Sequence, residues 1–356
     1  MLANRLSRHA VCLKGCAASP LSAIYCNRLF FIEAILHTCA PPKKLLNNWL
    51  GIYPSVVGRY GHLLIEQVGT SDKVLIDGLR SYFESAHLDA RQKFHDFIGM
   101  SLHPDDGTAG ANARYPNCLP STTRRGLFGE ALAGLITETY EYVGGHKWRV
   151  PVFLFRFHDD ARRYLFNLAQ DPLLTRQTVG RFGSDFIAIA LDDDGAVYRF
   201  VSGEAKWRET LTPGQIDTLL LGDKVERPKG SGNLVHNGKG IWHQVNKEVP
   251  NPDGLRQLQE ILKEYAADEF SAAILSIDEA LALNDPQPIP KTDLIFLVGN
   301  NPARRSSRVP HIVWKQQPAE YTAGNDLQVV EVYLSGGDEL IEELYSLLWP
   351  EGGDGA

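Results

Sequence analysis

Apolar residues fall along this chain in two periods, and the change from one to the other marks out its elements. Phe186 to Leu191 and Ala196 to Val201 are short apolar and β-branched runs on either side of Asp192–Gly195, the pattern of a β-hairpin. Trp148–Phe157, Ser271–Ile277, Asp293–Gly299 and Asp326–Leu334 read as further strands. Helical spacing covers Asp72–Gly99, with Leu75, Leu79 and Phe83 on one face, and Arg124–Tyr142, with Phe128, Leu132, Leu135 and Ile136 on another. His158–Leu174 also has a helical look, Thr212-Pro213 opens a helix as N-cap and first residue, and Asp253–Ala266 and Glu339–Trp349 are amphipathic. Short apolar runs broken by Gly and Pro fill residues 45–69, and a stretch rich in Gly, Pro, Asn and Asp runs from His103 to Ser121. Taken together these features predict an α/β protein: an N-terminal α/β module over residues 1–120, its first 40 or so poorly ordered, and a second domain over 121–356 with a mixed central sheet flanked by helices.

The hairpin carries the chemistry. Pairing Leu191 with Ala196 across the turn sets Asp185 opposite Ser202 and within two positions of Glu204. Side chains alternate with period two, so Ser202, Glu204, Lys206 and Asp185 share one face. Two carboxylates held that close repel each other, and a divalent cation relieves the repulsion, with hard oxygen ligands favouring magnesium, or manganese in its place. An ammonium beside them can position a water and offset charge on a phosphate under attack.

Composition narrows the surroundings of such a site. The 356 residues are 44% hydrophobic and 22% charged, as in a globular protein with a substantial core, and the net charge is −7. Residues 1–50 hold six Lys/Arg against one Glu, leaving 30 against 42 for the remainder, so any surface for a polyanion has to be local. Candidates are Arg124 and Arg125 at the entrance of their helix, Lys229, Lys239 and His243 in a Gly-rich loop that lacks the GK[ST] ending of a P-loop, and Arg304, Arg305 and Arg308 in the loop after residue 300. His95 with Asp96, and His103 with Asp105 and Asp106, read as surface pairs, as do Asp159, Asp160, Arg162 and Arg163. Cys12, Cys16, Cys26, Cys39 and Cys118 are odd in number and lack zinc-ligand spacing, which suits reduced thiols in a cytoplasmic protein. No apolar run is long enough to cross a membrane, and Lys14 interrupts the one apolar stretch that could serve as an export signal.

Asp185 followed by Glu204-Ala205-Lys206 resembles the D…ExK signature of the PD-(D/E)XK, or restriction-endonuclease-like, nucleases. The resemblance implies a mixed sheet flanked by helices, metal held by Asp185, Glu204 and the carbonyl of Ala205, Lys206 as a catalytic donor, and Glu130 on the preceding helix completing the metal site. More narrowly, GLFGEALAGLI, GSDFIAIAL and SGEAKWR are similar to the nuclease subunits of the Hachiman antiphage defence system, which carry the domain of unknown function 1837. That likeness implies a prokaryotic deoxyribonuclease restrained until a superfamily 2 helicase partner senses foreign DNA. A catalytically degenerate DNA-binding or regulatory subunit, and a nuclease directed at RNA, are the alternatives the sequence leaves open.

Overall fold

A computed structural model describes residues 36–101, 115–155, 185–247, 253–282 and 286–349, with side chains of 95–101 and 253 outside the description. The predicted helix at His158–Leu174, the first three cysteines and the pairs at His95, His103 and Asp159–Arg163 therefore lie outside the residues or side chains described. No described helix is long and apolar enough to cross a membrane.

A six-stranded mixed sheet with helices on both faces organises the chain. Its strands are β1 (Leu50–Val56), β2 (Tyr60–Gln67), β3 (Phe186–Leu191), β4 (Val197–Thr210), and two late strands, Lys291–Asn300 and Asp326–Leu334. A separate ribbon of two short strands, β5 (Lys224–Glu226) and β6 (Leu234–His236), precedes the late pair, which are therefore β7 and β8. The order is β1-β2-β8-β7-β4-β3, with parallel pairing from β2 through β8 and β7 to β4 and an antiparallel hairpin at each edge. Central parallel strands are covered on both faces and read as near-continuous apolar runs, as in Leu294–Val298 and Val329–Val332.

One layer consists of α1 (Lys43–Trp49), α2 (Lys73–Ser101), α3 (Ser121–Thr139) and a C-terminal helix, Gly337–Leu347. Phe83, Phe128, Leu132 and Tyr345 from this layer pack with Ala205, Trp207, Phe296 and Val330 of the sheet. The opposite layer has two halves. In one, α4 (Pro213–Leu221) and α5 (Ile241–Val245) lie over Ile295, Leu297 and Val329. In the other, α6 (Asp253–Tyr265) and α7 (Ser271–Leu281) lie over Ile187, Ile189 and Phe200. Thr212 caps α4 as its sequence predicts: Thr212 and Gln215 exchange side-chain and backbone hydrogen bonds in a capping box, with Pro213 at the first helical position.

Three expectations need correction. Residues 43–101 are not a separate module, because β2 pairs along its length with β8 and residues 35–356 form one compact unit. Ser271–Ile277 is the start of α7 rather than a strand; Ala273, Ile277 and Ala280 are buried at helical spacing, and a short continuous apolar run does not distinguish the two periods. Trp148–Phe155 forms no strand beyond one bridge, in which Arg149 and Ile189 exchange both backbone hydrogen bonds. Pro151 has no N–H to continue a ladder, and the Val150 N–H is taken by Glu138 Oε1 at 2.7 Å.

Gly203 shows how tightly the β3–β4 edge is built, because a Cβ there would fall on the Phe186 ring. Gly203→Val should destabilise the protein by about 1–3 kcal/mol through overpacking. A urea-denaturation midpoint unchanged from wild type would contradict this packing.

Candidate active site

Asp185 immediately precedes β3, and its N–H donates to Gly203 O at 2.8 Å. The observed register pairs Phe186 with Gly203 and Ile187 with Ser202, so Asp185 comes beside Glu204 and not opposite Ser202. The expected register is two residues off for identifiable reasons. Asp192 N–H donates to Ala196 O, which draws Ala196 into the turn and sets Val197 opposite Leu191. A bulge then leaves Tyr198 without a partner residue on β3. One extra residue in the turn and one in the bulge make an even shift, so each side chain keeps the predicted face.

Asp185, Glu204 and Lys206 meet at one point. Lys206 Nζ donates to Asp185 Oδ2 at 2.6 Å and to Glu204 Oε2 at 2.9 Å. The Ala205 N–H also donates to Asp185 Oδ2, at 2.9 Å, which fixes that carboxylate on the strand. The carboxylate side chains are only 2% and 8% exposed, whereas that of Lys206 is 27% exposed, so the ammonium is the solvent-facing member of the group. Burial opposes the charge on Lys206, but the fields and hydrogen bonds of Asp185 and Glu204 outweigh it and hold the ammonium well above its ordinary value. Two carboxylates and one cation leave the group with a formal charge of −1.

The trio lies at the seam between the two halves of its helical layer. Glu204 and Lys206 neighbour Ile295 and Leu297 of β7, which pack beneath α4, while Ile187, on the face of Asp185, packs beneath α6. A further buried carboxylate lies on the same face. Asp293, beside Ser202 in the β4–β7 register, accepts from Tyr321 Oη at 2.5 Å and Asn325 Nδ2 at 3.0 Å and pairs with Lys291 at 2.9 Å. Sequence reading passed over Asp293 as the first residue of a strand; an acid opening an apolar run was its one signal.

Glu130 stands apart from this group. It is buried in α3, the helix packed against Ala205 and Trp207, and alternation along β4 turns Glu204 and Lys206 to the other face. In the same apolar cluster the hydroxyls of Tyr115 and Tyr345 flank His87 at 2.7 and 3.0 Å. Among the described residues no three His, Cys, Asp or Glu side chains gather into a group able to hold a metal ion. What the donor set offers a hard divalent cation is the pair of converging carboxylate oxygens from Asp185 and Glu204.

The proposed phosphate contacts divide sharply. Arg124 pairs with Glu342 at 2.6 Å and Arg125 with Asp338 at 2.7 Å, joining α3 to the C-terminal helix, here α8. Arg305 is buried against Glu66 at 2.6 Å and stacks 3.8 Å over the Tyr333 ring. These three arginines are committed to the fold, whereas Arg304 and Lys239 are exposed. A Ser55–His62–Glu331 chain, at 2.5 and 2.8 Å, has the residue types of a hydrolytic triad. Glu331 also accepts from Tyr333 Oη, His311 N and Ile312 N, so the chain fastens the 301–325 loop and the β1 bulge to the sheet. Cys39 and Cys118 are free thiols, and burial pushes Cys118 up to about 12.

The chain matches no protein-family model and no curated protein.

Lys206→Met keeps the aliphatic stem and removes the cation, leaving two buried carboxylates to repel each other. We expect a stability loss of about 1–3 kcal/mol at pH 8. In this variant the folded-state carboxylate pKa is raised above its unfolded value, so stability returns as pH falls through the raised value and the deficit narrows towards pH 5. In wild type the raised Lys206 pKa works the other way: its contribution is fully present below the free value of 10.5 and is lost as pH rises through the higher folded value. Denaturation midpoints of variant and wild type at pH 5 and 8, with and without magnesium, measure the deficit, and wild-type midpoints on either side of pH 10.5 follow the lysine's contribution. A deficit indifferent to pH and to magnesium would contradict the charge balance described.

Proposed function

We propose that the Asp185, Glu204 and Lys206 group hydrolyses phosphodiester bonds of DNA with a divalent cation, as a nuclease of the PD-(D/E)XK type. The observation that carries this reading is one ammonium donating to two converging carboxylates at the solvent-facing seam of an α/β/α sheet. Asp185 and Glu204 are the residues that would hold magnesium or manganese. Such a cation supplies Lewis acidity towards a phosphate oxygen and lowers the pKa of a bound water.

Lys206 has a defined part. Its Nζ donates to both carboxylates, and in this role it serves as a hydrogen-bond donor. Placed beside a scissile phosphate, the ammonium stabilises the charge that gathers on the non-bridging oxygens as water adds to phosphorus and the P–O bond to the leaving sugar breaks. The proton lost by the attacking water goes to a carboxylate oxygen or to solvent, and the leaving oxygen takes one up from solvent. Ala205 N–H holds Asp185 in place, so this carboxylate is oriented before any ligand arrives.

The likeness to Hachiman nuclease subunits extends the proposal to a superfamily 2 helicase that delivers DNA. A net charge of −7 discourages unaided contact with a polyanion, which fits weak cleavage by the chain alone.

The test is cleavage of plasmid, linear DNA and RNA with magnesium, alone and with the helicase. Lys206→Ala should lower DNA cleavage about 10²–10³-fold while DNA binding changes little, because it removes an interaction made mainly in the transition state. Glu204→Ala should lose cation binding as well. Equal cleavage by wild type and Lys206→Ala would remove the catalytic assignment, and cleavage of RNA alone would remove the DNA assignment. Full activity without a helicase would remove the partner.

A further inference from the structure

We infer that the β5–β6 ribbon and the turn that follows it form an arm that grips the phosphate backbone of duplex nucleic acid. The inference takes the identity of the polyanion from the nuclease reading; the arm itself stands on separate observations. From Lys224 to Lys247 the chain carries five Lys/Arg against one acid, Glu226, although the whole protein has 36 against 43. Lys224, Arg227, Lys229 and Lys239 are all exposed, and among the described residues none of them makes an ion pair, unlike Arg124, Arg125 and Arg305.

The arm is built to hold these cations in place. Lys224, Val225 and Glu226 pair with His236, Val235 and Leu234. At the root, His236 Nδ1 lies 2.6 Å from Gly222 O, Asn237 N donates to Asp223 O at 2.8 Å, and Gly238 N donates to Leu221 O at 3.0 Å. At the tip, Gly230 and Gly232 take positive φ angles of 85° and 73°, and both donate their N–H groups to the Glu226 carboxylate. Those backbone bonds hold the carboxyl of Glu226 below its ordinary pKa. Glu226, the one acid of the two strands and the tip, is thus occupied in shaping the tip, and Asp223 stands at the root.

Position and composition select the partner. The arm leaves from the end of α4, which covers Ile295 and Leu297, the sheet neighbours of Glu204 and Lys206. It therefore springs from the helix beside the carboxylate–lysine group. From Lys224 to Gly240 it has no Phe, Tyr or Trp on which an unpaired base could stack, which disfavours single strands. A narrow two-stranded ribbon edged with Lys and Arg suits the grooves and phosphates of a duplex, read without regard to sequence.

The experiment measures duplex DNA binding over a range of salt concentrations in EDTA, so that hydrolysis plays no part and failure of the nuclease reading leaves the result interpretable. The proteins are wild type, the quadruple variant Lys224→Ala/Arg227→Ala/Lys229→Ala/Lys239→Ala, and a charge-keeping control in which the three lysines become arginine. Wild type should lose affinity with log salt at a slope that the quadruple variant reduces by about three to four, each phosphate contact contributing about 0.9. Affinity at low salt should fall on the order of 10²-fold, the arginine control should bind like wild type, and a single strand of equal length should bind more weakly. An unchanged slope in the quadruple variant overturns the inference, as does equal or tighter binding of single strands. Intact duplex binding combined with loss of a protein partner on Leu234→Asp, whose side chain is 62% exposed, would also overturn it, making the arm a protein-docking element.

Discussion

Alternation along β4 is the constraint on which the other features depend. From Val201 to Trp207 the odd residues enter the core beneath α3, and Ser202, Glu204 and Lys206 take the opposite face. A strand whose side chains alternate cannot move one residue without exchanging those two sets, which would drive two charged groups into an apolar layer and expose Trp207. The antiparallel pairing with β3 and the parallel pairing with β7 fix the register from both sides. The apolar packing that stabilises the sheet is therefore what holds Glu204 and Lys206 against Asp185.

Charge at that point is opposed by the Lys206 ammonium. Each buried carboxylate would carry a desolvation penalty of several kcal/mol if left unpaired, and Lys206 meets both of them. Because the ammonium is more exposed than its partners, it can answer to a ligand arriving from solvent while the carboxylates stay fixed. Elsewhere charges are settled differently: Arg305 lies between Glu66 and the Tyr333 ring, and Asp293 is surrounded by Lys291, Tyr321 and Asn325. Those groups join loops to the sheet. The bonds from Lys206 Nζ and the Ala205 N–H to the carboxylates of Asp185 and Glu204 run between neighbouring positions of the β3–β4 hairpin.

Much of this was legible in the sequence where local periodicity and local chemistry agree. The strand at Asp326–Leu334, the capped helix after Thr212 and the facing of Asp185, Glu204 and Lys206 follow from patterns within a few residues. The hairpin register was missed by two because an Asp192 turn contact and a bulge at Tyr198 are decided by backbone hydrogen bonding that residue types do not announce. Tertiary pairing escaped altogether: nothing local in Tyr60–Gln67 says that it will lie beside Asp326–Leu334, far along the chain. Glu130 was placed by its order in the chain, yet order does not specify which face of the sheet a helix will cover. The arginines were counted as free cations, and only the structure shows that Arg124, Arg125 and Arg305 already have acids.

The proposed function requires Asp185 and Glu204 to hold one divalent cation beside Lys206. Anomalous diffraction from crystals soaked in manganese tests it at atomic resolution. One strong peak is expected within coordination distance of both carboxylates, about 2.0–2.4 Å, and it should disappear in Glu204→Gln crystals. Manganese bound only at other carboxylates, with Lys206 still joined to Asp185 and Glu204, would contradict it.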